Sequence, residues 1–381
     1  MHPTLPPAGR LELLVLQPTS YCNLNCSYCY LANRQVHRRM SASIMENTFR
    51  KVLHSGLTNS NLIILWHAGE PLTAGLPFFE QAADLLTRYR SESIHVIQSV
   101  QTNGTLITDD WCRFFSRERF EVGVSIDGPQ FLHDAHRRNW AGHGSFERVM
   151  AGVSKLRHYD IEFGVLAVLT ADSLKYPDEI YDFFKLIGAQ SVGFNVEEIE
   201  HQHVHSTFTG LNESVLRDQY GAFFRRLLER VENDSSPLKI RELEQLLKIT
   251  LRLRSNPEYV YEPMEVAPFR IITVLQNGDV SSFSPEFAGA PSEPYDNFRI
   301  GNIETDSLEE IAAKLYASRL KHDAEASREL CRVNCPYFQI CGGSYFSNKW
   351  SENGSLLVPE TQACRLHSQT VTDTYLQYMG A

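Results

Sequence analysis

The sequence predicts an α/β fold in which a parallel sheet occupies the first half of the chain. Six short runs rich in apolar and β-branched residues alternate with segments of helical periodicity between residues 11 and 196. Alternating strands and helices form a parallel sheet with crossover helices, because each helix returns the chain to the same end of the sheet. This repeat is compatible with an open barrel and with a doubly wound sheet.

The elements follow one another at regular intervals. The predicted strands cover residues 11–17, 61–66, 95–100, 121–126, 162–169 and 191–196, and the helices cover 41–55, 77–90, 109–116, 145–158 and 176–187. Beyond residue 201 a polar loop leads into two amphipathic helices, 213–232 and 238–254. Pro257 begins a third region, which we expect to be rich in turns and short strands.

Composition limits the class of protein. Hydrophobic residues make up 43% of the 381, but no apolar run approaches the ~20 residues of a membrane span. The first ten residues lack the apolar stretch of a signal peptide, so we expect a cytoplasmic protein without membrane contact. Eight cysteines in that compartment indicate metal ligands more than disulfides. A net charge of −10 argues against a nucleic-acid partner.

Three cysteines follow the first predicted strand. Cys22, Cys26 and Cys29 stand in CNLNCSYC, separated by three residues and then by two. Three thiolates can hold three irons of a [4Fe–4S] cube and leave the fourth iron open to a small molecule. A zinc site is the alternative, although zinc usually takes four protein ligands in structural sites. The motif resembles the signature of the radical S-adenosylmethionine (SAM) superfamily.

That resemblance implies a cofactor, a reaction type and a domain plan. SAM would chelate the open iron, and one electron from the cluster would cleave SAM to a 5′-deoxyadenosyl radical. The electron would come from a flavodoxin- or ferredoxin-type reductant. The resemblance also implies a partial (β/α)6 radical SAM barrel over residues 1–205. A helical bridge over 206–257 and a SPASM-like iron–sulfur domain over 258–381 would follow.

The second predicted strand ends in WHAGEP, where the superfamily usually has Gly-Gly-Glu. By this resemblance Ala68, Gly69 and Glu70 would hold the amine of SAM. A carboxylate is a suitable acceptor for an amine. Ala68 departs from the pattern by one methyl group.

Three further motifs follow the third and fourth strands. Gln101 and Asn103 lie in QTNG, Ser125 and Asp127 in SIDGP, and Arg137 closes HDAHR. In the peptide-modifying branch of the superfamily, which these motifs resemble, the serine contacts the SAM ribose and the arginine the SAM carboxylate. A guanidinium can donate two parallel hydrogen bonds to a carboxylate. Asp127 would orient its loop or reach the substrate.

Four cysteines in the third region resemble the SPASM extension. They are Cys331, Cys335, Cys341 and Cys364. That extension usually has seven cysteines and two clusters, but here Phe283 and Tyr345 stand at two of the expected cysteine positions. The resemblance therefore implies that one auxiliary cluster is lost and that the remaining four thiolates enclose the other. Two [4Fe–4S] clusters per chain follow, with a four-cysteine zinc site as the alternative for the second.

The segment FSPEFAG after Gly278 narrows the resemblance. With the lost cluster, it resembles the GrrM type of maturases that form three-residue cyclophanes. These join an aromatic ring to the β-carbon of a residue two positions later in a ribosomally made precursor peptide. Glu286 would be the base that removes the ring proton, with Asp127 as the other candidate catalytic residue.

Two other interpretations remain open. One is a different radical SAM modification, such as formylglycine formation in a sulfatase or thioether formation. Sulfatase maturases resemble this chain through the barrel but usually keep seven auxiliary cysteines. The other is a metal-binding scaffold without catalysis.

Overall fold

Ten strands form one continuous sheet in the computed structural model, which describes residues 10–380. They are β1 (Leu11–Leu16), β2 (Thr58–Trp66), β3 (His95–Thr102), β4 (Glu121–Ser125), β5 (Phe163–Leu169), β6 (Ser191–Val196), β7 (Lys239–Ile240), β8 (Ile271–Val274), β9 (Asp279–Ser282) and β10 (Gly301–Asn302). The strand order is β10-β9-β8-β1-β2-β3-β4-β5-β6-β7. Strands β1 to β6 pair in parallel and in sequence order, as repeated βα units require.

Thirteen α-helices accompany the sheet in this part of the chain. They are α1 (Ala42–His54), α2 (Leu76–Arg88), α3 (Asp109–Glu118), α4 (Gln130–His136), α5 (Phe146–His158), α6 (Pro177–Ile187), α7 (Glu213–Asn233), α8 (Arg241–Ser255), α9 (Leu308–Tyr316), α10 (Arg319–Asn334), α11 (Phe338–Cys341), α12 (Phe346–Asn353) and α13 (Val371–Tyr378). None of the helices in residues 10–380 is both long and apolar enough to cross a membrane.

The predicted fold class is confirmed, because six parallel strands with crossover helices lead into a C-terminal region. That region extends the same sheet: β8 pairs in parallel with β1, and β9 and β10 follow as antiparallel strands. The C-terminal region is thereby held against β1, the first strand of the barrel. The cysteine loop that follows β1 lies at this junction.

Three local predictions were wrong or incomplete. The helix predicted over 238–254 begins at Arg241, because Lys239 and Ile240 pair with β6 as a short strand. The third region was predicted to be short-stranded and turn-rich, yet it holds five helices besides its three strands. Helix α4 was also not predicted, because its seven residues span only about two helical turns.

A cluster of aromatic rings holds the carboxyl end of β2 in place. Trp66 at the end of β2 is fully buried and packs against Phe78 and Phe79 of α2. Phe79 in turn meets Trp111 of α3 edge-on. Buried aromatic pairs add about 0.5–1.5 kcal/mol each beyond the area they bury. The loop that starts at His67 is therefore anchored at a rigidly packed strand end.

Candidate functional site

The cysteine loop lies where β1 ends, at the edge of the sheet where parallel barrels place their sites. Cys22 is buried, and Cys26 and Cys29 are partly exposed. Burial raises the pKa of Cys22 and raises that of Cys26 to about 11, although Arg137 opposes the second shift. Such thiols ionise readily only beside a positive centre, and metal ligation supplies one.

Gly69 allows the loop after β2 to approach the cysteine loop. Its φ is +61°, and an added Cβ would lie 2.6 Å from the carbonyl oxygen of Tyr21 and 2.7 Å from that of Thr19. Ala68 also adopts a positive φ, of 70°. This conformation favours glycine, which explains the usual glycine at this position.

We expect Gly69→Ala to displace the cysteine loop, since both nearby carbonyls are backbone groups. Cluster loading at the first site should fall, and SAM cleavage should drop by about 100-fold, the effect of a ~1 Å misplacement. Gly56→Ala is the matched control, because Gly56 has a φ of +71° but an added Cβ would meet nothing within 4 Å. Equal losses of iron and activity in the two variants would contradict the expectation.

Glu70 is fully buried, and its side chain accepts hydrogen bonds from three protein groups. The donors are Leu72 N at 3.0 Å, Thr102 Oγ1 at 2.7 Å and Asn103 N at 2.7 Å. Burial raises the pKa of Glu70 to about 7 despite these bonds. Glu70 thus ties the end of β2 to the end of β3, and its contact with the SAM amine stays a prediction.

The QTNG residues connect the barrel interior with the cysteine loop. Gln101 Nε2 donates to Ser125 Oγ at 2.9 Å, which brings these two predicted SAM-contacting residues together. Asn103 Nδ2 donates to Asn23 Oδ1 at 2.8 Å and lies 3.9 Å from Cys22 Sγ. The loop after β3 therefore meets the first cysteine motif, and Gln101 joins β3 to the end of β4.

Asp127 and Arg137 form a buried pair beside the same loop. Arg137 Nε and Nη2 each lie 3.0 Å from an oxygen of Asp127. Tyr28 OH, from the cysteine motif, also donates to Asp127, as does Val168 N at 3.0 Å. Although burial acts in the opposite direction, Arg137 holds the pKa of Asp127 below its usual value. The predicted contact of Arg137 with the SAM carboxylate would have to share a guanidinium already paired with Asp127, and it stays a prediction.

Replacing Asp127 by Asn should destabilise the folded protein by about 3–5 kcal/mol, because Arg137 would keep a buried charge without its partner. Urea unfolding of the cluster-free chain measures the change. The double variant Asp127→Leu/Arg137→Met removes both charges, so its free energy of unfolding should fall by less. A loss below about 1 kcal/mol in the single variant would show that the pair is not needed for stability.

The four C-terminal cysteines come from three adjoining segments. Cys331 lies near the end of α10, Cys335 caps that helix, and Cys341 ends α11. Cys364 begins a π-helical turn that runs to Thr370. Burial raises the pKa of Cys335 and of Cys364, and the nearby Cys341 thiol adds to both shifts.

These thiols are not gathered as tightly as a single ion requires. Among residues 10–380, no three His, Cys, Asp or Glu side chains lie close enough together to hold one metal ion. Thiolates around a four-iron cube stand further apart than thiolates around one ion. Cys thiolates are the usual ligands of iron–sulfur clusters, and the second cluster stays a prediction.

An aromatic pair stands at one of the predicted lost-cysteine positions. Phe283 is 1% exposed and packs edge-on against Phe346, with ring centroids 5.6 Å apart. Tyr345, at the other such position, adopts a positive φ of 69° and precedes α12. A packed ring therefore occupies the first of these positions, whereas the Tyr345 side chain lines a cavity.

A cavity of about 470 Å³ lies between the barrel and the C-terminal region. Its wall includes Gln101 from the barrel and Cys341 from the second cysteine set. Glu198, Glu265 and Glu286 also line it. Burial and the charge of Glu286 raise the pKa of Glu198 to about 8. The Ser284 hydroxyl donates to the Glu286 carboxylate.

A second cavity, of about 560 Å³, opens inside the barrel beside Gly123, Gly164 and Gly193. It is larger, but Gly164 and Ser191 in its wall lie at the amino ends of β5 and β6, whereas parallel barrels carry their chemistry at the carboxyl ends of the strands. The smaller cavity is therefore the candidate active site. Glu198 and His67, which both line it, were not found from the sequence. Glu198 belongs to no recognisable motif, and His67 stands in WHAGEP at a position to which the resemblance gives no role.

The comparison with known proteins identifies the chain. The family model "Radical SAM superfamily" matches residues 16–184, which contain the first cysteine motif and the loops after β2, β3 and β4. An uncharacterised protein of Synechocystis sp. is 38% identical over 372 residues, covering 97% of this chain and 92% of that protein. The chain belongs to the radical SAM superfamily. Membership implies a [4Fe–4S] cluster and SAM as cofactors.

Another relative of this radical SAM enzyme is named for its reaction. A cysteine-type anaerobic sulfatase-maturating enzyme of Clostridium novyi is 27% identical, over 89% of this chain and 88% of its own length. The structure of anSMEcpe with bound AdoMet and the Cp18Cys peptide has a TM-score of 0.75 and 24% identity, covering 97% of this chain and 96% of that one. This structural likeness supports the fold of the barrel and of the C-terminal region.

Proposed function

We propose that this radical SAM enzyme oxidises a peptide by joining an aromatic ring to the β-carbon of a residue two positions later. The observation that carries the proposal is the acid-lined cavity between Gln101 and Cys341. It links the SAM side of the barrel to the second cysteine set. The packed ring of Phe283 stands at one position where the resemblance expects a ligand of the inner cluster.

The residues of the chain fit the cofactors. Cys22, Cys26 and Cys29 would hold the first cluster, and the other four cysteines named above would hold the second. SAM, when bound, supplies the radical that takes a hydrogen atom from the β-carbon. Gln101, Ser125 and the pair Asp127–Arg137 would position SAM beside the cavity.

The crosslink then requires one proton and one electron to leave the ring. The β-carbon forms a bond to the ring carbon, and that ring carbon loses its hydrogen as the ring becomes aromatic again. The Glu286 carboxylate accepts the proton, and the four C-terminal cysteines would hold a cluster able to take up the electron. The peptide loses two hydrogen atoms in total. Glu286 and the predicted cluster ligand Cys341 line the same cavity. A ring bound there would therefore be close both to the proton acceptor and to the electron acceptor.

The cavity also suits a peptide substrate. A volume of about 470 Å³ lies within the range of pockets that bind ligands with specificity. A neighbouring structure, anSMEcpe, holds a peptide together with AdoMet. We propose a ribosomally made precursor peptide as the substrate and a flavodoxin- or ferredoxin-type protein as the electron donor.

Formylglycine formation is the second candidate, because the sulfatase-maturating enzyme of Clostridium novyi matches most of this chain. It uses the same first step, hydrogen abstraction from a β-carbon. The seven auxiliary cysteines expected of such enzymes are reduced here to four after residue 300, with Phe283 and Tyr345 at two of the missing positions. That difference makes the crosslink the first candidate.

One experiment separates the two reactions. The reconstituted enzyme, SAM and dithionite are incubated anaerobically with two synthetic peptide sets. One set places Phe, Tyr or Trp two positions before a residue with a β-methylene. The other carries a sulfatase-type Cys or Ser.

The crosslink removes two hydrogens, leaves no aldehyde, and suppresses backbone fragmentation between the joined residues in tandem mass spectrometry. Formylglycine reacts with a hydrazide probe. Hydrazide labelling of the Cys or Ser peptide, with no crosslink in the other set, would replace the first candidate by the second.

A further inference from the structure

A lysine is buried beside the second cysteine set. Lys349 lies on α12 and is only 2% exposed. Its Nζ is 2.9 Å from Ser327 Oγ and 3.1 Å from Cys331 Sγ, both on α10. The same ammonium lies 5.7 Å from the centre of the Phe346 ring. The side chain is thus directed at a predicted cluster ligand.

The ammonium has no carboxylate partner in the described part of the chain. No acidic side chain among residues 10–380 lies within 4.0 Å of Nζ, and residues 1–9 contain no Asp or Glu. A buried charge without a counter-charge is strongly disfavoured. The nearest group able to carry negative charge is the Cys331 sulfur. The position of Lys349 is therefore stable when the cysteine set is anionic.

We propose that Lys349 is a positioning residue that raises the reduction potential of the C-terminal cluster. A [4Fe–4S] cluster on four thiolates is anionic and gains another negative charge on reduction. A fixed positive charge and an N–H···S hydrogen bond stabilise the reduced form more than the oxidised form, and both are recognised determinants of cluster potential. The Lys349 ammonium, 3.1 Å from Cys331 Sγ, supplies both the positive charge and the hydrogen bond.

The role in the reaction rests on the proposed function. There the ring loses one electron, and the C-terminal cluster takes it up. A cluster with a raised potential is a better acceptor for that electron. Lys349 would favour the transfer from peptide to cluster without touching the peptide. The proposal about the potential itself does not require a peptide.

The test is a redox titration of the second cluster alone. The full chain carrying Cys22→Ala, Cys26→Ala and Cys29→Ala is reconstituted with iron and sulfide, and the reduced cluster is followed by electron paramagnetic resonance. Lys349→Gln should make reduction at least tenfold less favourable, which is 59 mV for one electron. Lys349→Arg keeps the charge and should retain most of the original potential.

A second variant keeps the test possible if Lys349→Gln does not retain its cluster. Ser327→Asp places a carboxylate beside Nζ and neutralises the ammonium while Lys349 stays in place. It should lower the potential in the same direction. An unchanged potential in the variants that retain four irons would overturn the proposal. Crosslinking activity is not part of this measurement, so a lowered potential with no crosslinked product in the wild type would refute only the proposed function.

Discussion

Replacing Cys22, Cys26 and Cys29 together by alanine is expected to abolish SAM cleavage and to remove about half of the bound iron. These three cysteines leave one iron of their cluster open, whereas the other four enclose theirs. The wild type should accordingly hold about eight irons in two clusters. Iron and sulfide content after anaerobic reconstitution, with 5′-deoxyadenosine measured by chromatography, gives both results.

The matched control is Cys112→Ala. Cys112 is fully buried on α3, and it stands apart in the chain from both cysteine sets. Its replacement should leave iron content and SAM cleavage close to the wild type. An unchanged iron content in the triple variant would refute the assignment of the first cluster to Cys22, Cys26 and Cys29. Zinc in the C-terminal site would refute the second cluster.

Glu286→Gln is expected to leave SAM binding intact and to reduce crosslinked product by about 100-fold or more, the usual contribution of a positioned general base. Glutamine keeps the size of the side chain and its hydrogen bond with Ser284, but it cannot accept the ring proton. Product is measured by mass spectrometry, and SAM binding by equilibrium dialysis of the reconstituted protein.

Deuterium at the β-carbon of the peptide shows which step fails. Continued transfer of deuterium into 5′-deoxyadenosine without a crosslink indicates that the late proton removal is blocked. Lost transfer indicates that Glu286 positions the peptide. Glu293→Gln, an exposed acid in the same segment, is the control. Full crosslinking by Glu286→Gln would assign Glu286 a structural role only.

Much of the barrel could be predicted because its pattern is local. Each of the six strands has its own apolar run, and the helices between them have their own periodicity, so the boundaries agree within a few residues. The C-terminal helices were missed because their sequence offers weaker signals. Helix α11 has four residues, and α12 has eight with several polar residues on its buried face.

The candidate site was likewise predictable only in part. The cysteine motif, the loops after β2, β3 and β4, and the four later cysteines are visible as residue types at fixed spacings. The partners of those residues are not visible. The sequence predicted Arg137 and Glu70 as SAM contacts, and both stay predictions. Only the structure shows that Arg137 pairs with Asp127 and that Glu70 accepts hydrogen bonds from Leu72, Thr102 and Asn103.

The sequence by itself determined the superfamily, the βα order of the first half and the cysteines available as ligands, because these depend on residues close together in the chain. Only the tertiary structure decided that β8 joins β1, that Glu198 and Glu286 share one cavity, and that Lys349 reaches Cys331. Glu198 and Glu286 are 88 positions apart in the chain. Contacts of that kind arise from packing, which brings distant residues together and buries their charges without leaving a periodic or spaced pattern in the sequence.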